Sequence, residues 1–293
     1  CQFAPLNVVL RAVLEARGIR CGFTHLGLLP GSISFLAQGE MGESWICREN
    51  SAFSLLPVVP EDIVKVQGYL DTVSKSEMNR KEQPSKGALA SQLVTDGPRV
   101  FYAGVNDFNS GILPYYTPQA KMHSPFFRGT VDGLLALDRQ LDGTNGQIIF
   151  KPHPNIAKKV PELAKVANCN NTNIVPQANM FECIQNSDLT ATIFSQTAYM
   201  ALICQKPVLI MGNMPLCGRG CAYEIHSKGD LGKQVETALT HGLTEVQLQA
   251  WYRHVAQLWK YAVFALYPEF DELFGRSPRM AAEWLNGFAA IGV

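Results

Sequence analysis

A histidine held between two prolines is the first feature of this 293-residue chain that could do chemistry. The stretch IIFKPHPN, residues 148–155, passes from an apolar run into Lys151, Pro152, His153 and Pro154. Each proline ring fixes a backbone torsion, so the imidazole is presented with little conformational freedom left to lose on binding a ligand. A lone histidine at a strand end is also a common surface residue, so this stretch alone leaves both interpretations open.

Hydroxyl groups at the start of a predicted helix form a second feature. The segment FSQTAYMALICQKPV begins with Phe194 and continues through Ser195, Gln196 and Thr197. Ser195 or Thr197 can cap the helix, and the main-chain N–H groups of a first turn attract anions. The segment is therefore a candidate phosphate site that needs no metal ion, and an ordinary helix cap is the alternative interpretation.

Two charged residues also follow predicted strands. Asp107 lies in AGVNDFNS, where a carboxylate can act as nucleophile or base, although an aspartate there can equally do no more than form a turn. Arg219 lies between two glycines in GNMPLCGRGC, where the backbone can approach a ligand closely. Its guanidinium group suits a phosphate or a carboxylate.

Strands and helices alternate from residue 98 onward, and this alternation positions the candidate residues. Strands are predicted at 98–104, 147–152, 172–175, 189–194 and 207–211, with helices at 126–142, 160–168, 179–187 and 196–204. Such alternation indicates a parallel, doubly wound sheet, whose ligands bind at the carboxyl ends of the strands. We therefore predict that Asp107, His153, Ser195 and Arg219 open onto one crevice.

The composition excludes several classes of protein. Hydrophobic residues make up 47% of the chain and charged residues 17%, which suits a large globular core. Lys plus Arg and Asp plus Glu both number 25, so no nucleic-acid partner is expected. No apolar run reaches the roughly 18 to 20 residues that span a bilayer, so a cytoplasmic location is predicted. The eight cysteines are predicted to be reduced, and Cys217, Cys221 and His226 lack the paired spacing of a metal site.

Three parts are predicted along the chain. Residues 1–90 form an amino-terminal domain, whose start we expect to be incomplete because a helix-like segment begins almost at once. Residues 91–245 form a second domain, which contains the alternating strands and helices. Residues 246–293 carry an aromatic-rich helical stripe, which is typical of packing, and are expected to cross back over the first domain.

Four ordered segments over about residues 98 to 225 resemble motifs of the capsule polysaccharide biosynthesis family, which includes the bacterial β-Kdo glycosyltransferases. The family shows an aspartate loop, then K-x-H-P, then T-S-x-x-G-F-E-A-L-x-x-G-K-P-V, then G-x-P-F-Y-x-G-W-G. The counterparts here are GVNDFNS, KPHP, FSQTAYMALICQKPV and GNMPLCGRGC. The resemblance implies an α/β fold of the GT-B class: two Rossmann-like domains, a cleft between them and a carboxyl-terminal crossing helix.

The resemblance also implies an activity, which is the retaining transfer of Kdo from CMP-Kdo to a glycan or glycolipid acceptor of a bacterial surface polysaccharide. Asp107 would be the nucleophile, and His153 would serve beside it as general acid, phosphate partner or second capturing group. Arg219 would bind the carboxylate of Kdo. The donor would be bound by Lys151, Pro154, Ser195, Gln196 and Thr197, and its phosphate charge would be neutralised by Lys151, His153 and the helix amides at Ser195 to Thr197.

No metal and no cofactor other than the donor are expected. Peripheral attachment to the inner membrane, or to other polysaccharide assembly domains, is a further expectation. Two alternatives stay open: a transferase that uses CMP-sialic acid or CDP-glycerol, and a module that binds nucleotide or glycan without catalysis.

The chain departs from the family pattern at three places. His25 stands where the family has a glutamate in its acceptor-side segment, and Glu40 or Glu43 is the candidate replacement. Met200 stands where the family has a glutamate on the nucleotide-binding helix. About a dozen extra residues, GILPYYTPQAKMH, follow the aspartate loop.

Overall fold

The computed structural model describes residues 5–19, 21–26, 28–36, 39–79, 82–89, 93, 96–154, 166, 169–277 and 279–283. Their strands form a six-stranded sheet and a three-stranded sheet. The strands are β1 Phe23–Leu26, β2 Ser32–Leu36, β3 Arg99–Ala103, β4 Gln147–Lys151, β5 Thr172–Ile174, β6 Leu189–Thr192, β7 Val208–Ile210, β8 Tyr223–Glu224 and β9 Val263–Ala265.

The helices of the described residues surround these sheets. They are α1 Pro5–Ala16, α2 Trp45–Arg48, α3 Asn50–Ser54, α4 Pro60–Ser76, α5 Pro118–His123, α6 Thr130–Asp138, α7 Met180–Gln185, α8 Thr197–Ile203, α9 Leu231–His241, α10 Glu245–Tyr261 and α11 Pro268–Phe274. Single turns of 3₁₀ helix cover Met41–Glu43, Arg139–Leu141 and Lys228–Asp230. The predicted helix 160–168 lies outside the described residues, apart from residue 166.

The six-stranded sheet has the strand order β5-β4-β3-β6-β7-β8, and every pair in it is parallel. Its central strands are buried on both faces, which explains why they appear in the sequence as continuous apolar runs. The predicted parallel sheet is therefore confirmed. From β3 the chain continues outward to β4 and β5, and it then crosses back to β6 on the other side of β3. The strand order therefore reverses at β3.

The three-stranded sheet joins the two ends of the chain. β1 and β2 form an antiparallel pair, and β9 adds to the other edge of β2, again antiparallel, with Ser34 opposite Val263. The described strands of the amino-terminal part thus differ from the parallel Rossmann-like sheet expected there. The physical reason is the tight connection at Gly31, which has φ +70° and lets the chain fold straight back.

The crossing helix is α10, and its packing against α4 is aromatic and polar. The Trp259 ring lies edge-on to Tyr69 at 5.2 Å between centroids, and the Lys260 ammonium pairs with Asp62 at 2.7 Å. The capping box of Thr244 and Gln247 fixes where this helix starts. The predicted return of the carboxyl-terminal part is thereby confirmed, while the domain boundaries at 90 and 245 stay predictions.

The described cysteines and helices bear on two further predictions, which concern disulfides and membrane-spanning segments. All seven described cysteines are free thiols, as predicted, and burial raises the pKa of Cys47 and Cys221 to about 12. Such thiols stay protonated at neutral pH and pack as small apolar groups. None of the described helices has both the length and the apolar composition needed to cross a membrane.

Candidate active-site cleft

A cleft of about 530 Å³ opens at the carboxyl ends of β3, β4 and β6. Because β4 and β6 are the two neighbours of β3, the residues that follow these strands converge above its end. The amino-terminal part of the chain also lines the cleft, through Glu40 and Met41. The described lining residues are Thr24, Glu40, Met41, Asn79, Gln83, Phe101, Ala103, Gly104, Val105, Asn106, Asn109, Ser110, Lys151, Pro152, His153, Pro154, Met180, Phe194, Ser195, Gln196, Thr197 and Met200.

Six of the eight residues that the sequence singled out line this cleft, and two do not. The six are Lys151, His153, Pro154, Ser195, Gln196 and Thr197. They come from two segments about 40 residues apart in sequence, which the parallel sheet brings to the same edge. The structure thus places them together, whereas their chemical roles stay predictions.

Lys151 carries a positive charge that is fixed in the wall of the cleft. Its ammonium group donates hydrogen bonds to the carbonyl oxygens of Pro176 at 3.1 Å and Ala178 at 2.7 Å. These bonds tie the end of β4 to the loop that leads into α7. Burial lowers the pKa of this lysine, because the charged form loses hydration. A fixed cation at this place attracts an anionic ligand without having to be ordered by it.

The hydroxyl groups at the start of α8 cap the helix. The Ser195 hydroxyl oxygen accepts the N–H of Thr197 at 3.2 Å, and the hydroxyl donates to Thr197 Oγ1 at 3.1 Å. Thr197 in turn donates to the sulfur of Met180 at 3.6 Å. The helix-cap interpretation of this segment is therefore correct for Ser195. These bonds also restrain the orientation of both hydroxyl groups, and both residues line the cleft.

The floor of the cleft is apolar. Phe101, Phe194, Met180 and Met200 all line it and are buried. Met200 therefore places a thioether where the resembling family has a carboxylate. A flat apolar floor beneath a polar rim suits a ligand with a planar ring and a charged group.

Glu40 and Glu43, which the sequence alone could not separate as candidate acids, lie in different surroundings. Glu40 lines the cleft. Glu43 is buried, with 4% of its surface exposed, and pairs with Arg11 at 3.3 Å. Glu40 is thus the carboxylate that this wall offers to a ligand, while Glu43 anchors α1. The side chain of His25 lies outside the described set.

Asp107 does not reach the cleft, which corrects the prediction that it lies beside His153. Its carboxylate is buried and accepts the N–H of Thr130 at 2.9 Å and the hydroxyl of Thr130 at 2.7 Å. A Cβ placed on Gly129 would lie 2.7 Å from Asp107 Oδ2, so the chain encloses the carboxylate closely. Asp107 thus holds the start of α6 in place, because the first N–H groups of a helix have no partner within the helix.

The neighbouring Asn106 is the residue that the sequence analysis missed. It lines the cleft from the end of β3, and its side-chain oxygen accepts the N–H of Asn109, which also lines the cleft. The sequence did contain a signal that Asp107 has a structural role. The helix that begins in GTVDG, residues 129–133, is preceded by a glycine, which has no side chain to cap it. Such a start requires an acceptor from elsewhere, and Asp107 supplies it.

Arg219 also lies away from the cleft, which corrects its predicted contact with a ligand carboxylate. Its guanidinium donates to the carbonyl oxygens of Ile46 at 2.6 Å and Asn50 at 3.0 Å, and to the hydroxyl of Ser54. These acceptors belong to α2 and α3, on the amino-terminal side. The glycines around Arg219 therefore permit a close approach to another part of the chain.

A second contact between the two sides is a hydrogen bond from the N–H of Gly42 to His123 Nδ1, at 3.3 Å. His123 is fully buried, and burial lowers its pKa to about 4. The imidazole is therefore neutral at physiological pH, which leaves Nδ1 able to accept. Since Gly42 follows Met41, this bond fixes the acceptor-side wall next to the cleft.

We expect the protein to lose stability as the pH falls from about 6.5 to about 4. An unfolded chain binds a proton on histidine near pH 6.5, whereas the folded chain keeps His123 neutral to about pH 4. The unfolded state therefore binds more protons in this window. The stabilisation is complete above the window, and about 3 kcal/mol is lost at its lower end. Urea unfolding at about pH 7.5 and about pH 4.5 measures the difference.

The matched variants for this measurement are His123→Asn and His241→Asn, the second at an exposed helix end. His123→Asn should show a weaker pH dependence of unfolding, and His241→Asn should behave like the wild type. The same pH dependence in all three proteins would contradict the assignment to His123.

No metal centre is evident in the part of the chain that the structure describes, because none of its His, Cys, Asp and Glu side chains form a group of three or more that could hold an ion. Cys217, Cys221 and His226 are thus not arranged as a metal site. Whether the reaction requires a metal stays a prediction.

The comparisons with known proteins bear on the fold. No protein-family model matches the chain, and no curated protein sequence matches it. Among solved structures, the KpsC β-Kdo 2,7-transferase of Thermosulfurimonas dismutans has a TM-score of 0.54 and 17% identity, covering 87% of this chain and 75% of that chain. The KpsC β-Kdo 2,4-transferase of the same organism has a TM-score of 0.58 and 15% identity, covering 85% and 77%. The predicted α/β fold of the GT-B class is thereby confirmed.

Proposed function

We propose that this chain is a glycosyltransferase that moves Kdo from CMP-Kdo to a glycan or glycolipid acceptor of a bacterial surface polysaccharide. The observation that carries the proposal is the cleft itself. His153 and the Ser195–Thr197 segment line it from the strand ends of the parallel sheet, and Glu40 lines it from the amino-terminal part of the chain. The two solved structures with a similar fold are Kdo transferases by name, which supports this choice of donor.

The donor half of the cleft suits a nucleoside monophosphate ester. Ser195, Thr197 and His153 line this part of the cleft, where the two hydroxyl groups would turn away from Thr197 and Met180 to donate to a phosphate, and the Lys151 ammonium adds a fixed positive charge nearby. A single phosphate ester carries less charge than a diphosphate, so these groups can stabilise the leaving CMP without a divalent metal. The expected absence of a metal remains part of the proposal.

The apolar floor is the proposed place for the cytosine ring. Met180 and Met200 are unbranched, polarisable side chains that adapt to a flat ring, and Phe194 extends the same surface. A cavity of about 530 Å³ is of a size that holds a nucleotide sugar. Met200 in place of a carboxylate means that the ring and ribose are bound by apolar contact at this position.

The proposed retention of configuration requires two displacements, and a group in the cleft must capture the sugar between them. We assign this role to His153, because Asp107 is enclosed elsewhere. The imidazole nitrogen donates its electron pair to the anomeric carbon as the bond from that carbon to the phosphate oxygen breaks, and CMP leaves with the electron pair of that bond. The acceptor hydroxyl then gives its proton to Glu40, and its oxygen displaces the imidazole.

Donor turnover tests the proposal directly. CMP-Kdo, CMP-sialic acid and CDP-glycerol are supplied in parallel with a Kdo-terminated glycolipid acceptor, and release of CMP is measured together with transfer. We expect turnover of CMP-Kdo and a product with the β configuration by NMR. Faster turnover of either other donor would replace Kdo in the proposal, and CMP binding without hydrolysis or transfer would indicate a non-catalytic module.

A further inference from the structure

Arg219 is a half-buried cation that joins the nucleotide-binding side of the chain to the acceptor side. Its guanidinium binds the main-chain carbonyls of Ile46 and Asn50 and the Ser54 hydroxyl, and it lies 4.6 Å above the centre of the Phe53 ring. All three acceptors belong to the short helices α2 and α3. The planar guanidinium satisfies several acceptors at once, which a lysine cannot do.

The close approach at this contact is built into the chain. Gly218 has φ +70°, and a Cβ placed on it would lie 1.9 Å from the side-chain nitrogen of Asn50. A side chain at position 218 would therefore force the Asn50 side chain to move, and the positive φ at this position itself favours glycine. Burial lowers the pKa of Arg219, because the cation loses hydration at this seam. The lost hydration disfavours the charged arginine at this seam. We take its role to be the fixed placement of α2 and α3, which its hydrogen bonds impose.

The segment that Arg219 holds leads directly to the cleft. Glu40 and Met41 line the cleft, and the 3₁₀ turn Met41–Glu43 runs through Ser44 into α2. The Ser44 hydroxyl donates to the carbonyl oxygen of Met41 at 2.6 Å, which stiffens this junction. Fixing Ile46 therefore also fixes Glu40, six residues earlier in the chain. The hydrogen bond between Gly42 and His123 restrains the same segment nearer to Glu40.

We propose that Arg219 is a positioning residue for the acceptor step: it clamps α2 and α3 so that Glu40 stands at the correct distance from the sugar held by His153. This inference rests on the proposed function and concerns only the acceptor half of that reaction. The groups proposed to bind the donor, His153 and the Ser195–Thr197 segment, lie on the nucleotide-binding side and keep their places without the clamp. Loss of Arg219 should therefore separate donor binding from acceptor transfer.

The experiment compares Arg219→Ala and Arg219→Lys with Arg253→Ala. Arg253 is the matched control because it contacts the carbonyls of Ser54 and Leu56 at the same seam, but only at 3.5 and 3.4 Å, and Gln257 binds the same two oxygens. We expect Arg219→Ala to lower transfer to the acceptor by about 100-fold, since a small displacement of a catalytic group is enough for such a loss. CMP binding by calorimetry should change less than about twofold.

Guanidinium ion supplies a readout that a general loss of fold would not give. Added at millimolar concentration, it should restore part of the transfer in Arg219→Ala and none in Arg219→Lys, because only the first variant leaves a guanidinium-sized space. Arg253→Ala should match the wild type throughout.

Full acceptor transfer in Arg219→Ala would overturn the inference. So would parallel losses of CMP binding and transfer without rescue by guanidinium, because they would show that Arg219 supports the fold as a whole. Failure of the proposed function is a separate result, since the wild-type protein itself would then bind no CMP and turn over no donor.

Discussion

Replacing His153 with alanine is expected to lower Kdo transfer by at least about 100-fold, about 2.7 kcal/mol in the barrier, while leaving the melting temperature unchanged. His153 lines the cleft between two prolines, each of which fixes a backbone torsion. Its removal therefore takes away a capturing group and a phosphate partner together. Initial rates of transfer at saturating CMP-Kdo measure the loss, and thermal unfolding shows that the fold is intact.

Asp107→Ala is the matched variant for this prediction, because Asp107 was the other candidate for the same role. The buried carboxylate accepts three hydrogen bonds from Thr130 and helps to start α6, so its loss should lower the stability of the fold by about 1 to 3 kcal/mol. Transfer by the folded fraction should stay within about threefold of the wild type. A stable Asp107→Ala protein without transfer, beside an active His153→Ala protein, would return the nucleophile to Asp107.

Glu40→Gln is expected to lower transfer to the acceptor by about 100-fold, because a general base typically contributes about 10² to 10⁴ to the rate. Glutamine keeps the size and the hydrogen-bonding groups of glutamate but cannot take the proton of the acceptor hydroxyl. CMP binding should be unchanged, because the donor groups line the cleft from the strand ends of the parallel sheet. Calorimetry with CMP and transfer rates at several acceptor concentrations separate the two effects.

Glu43→Gln supplies the control for Glu40, three residues away in the same segment. Glu43 is buried and paired with Arg11, so its replacement should weaken the attachment of α1 and leave the acceptor rate within about twofold of the wild type. Equal losses of transfer in both variants would contradict the assignment of the base to Glu40. An unchanged rate in Glu40→Gln would have the same consequence.

The two variants divide the cleft into halves that can be tested separately. His153 belongs to the strand ends of the parallel sheet, and Glu40 to the segment clamped by Arg219 and His123. A transferase needs both halves at a fixed separation, because the sugar must pass from a group on one wall to a hydroxyl positioned by the other. Activity should consequently depend on Arg219 and His123 as well as on the residues that touch the ligand.

The sequence alone was sufficient for the sheet and for the donor wall. Parallel strands are buried on both faces and appear as continuous apolar runs, so β3, β4, β6 and β7 could be predicted from local composition. Ligand sites in such sheets follow the strand ends, which placed His153 and the Ser195–Thr197 segment in one cleft. The returning helix was likewise predictable, because its apolar stripe needed a surface to cover.

Only the tertiary structure decided where Asp107, Arg219 and Glu40 point. Each is a charged residue in a loop, and its direction depends on partners that are distant in sequence: Thr130 for Asp107, and the carbonyls of α2 and α3 for Arg219. Periodicity carries no information about such partners, because it records which face of an element is buried and not which acceptor a loop residue will meet. The strand ends of the cleft were thus determined by local sequence, and its acceptor wall by long-range hydrogen bonds.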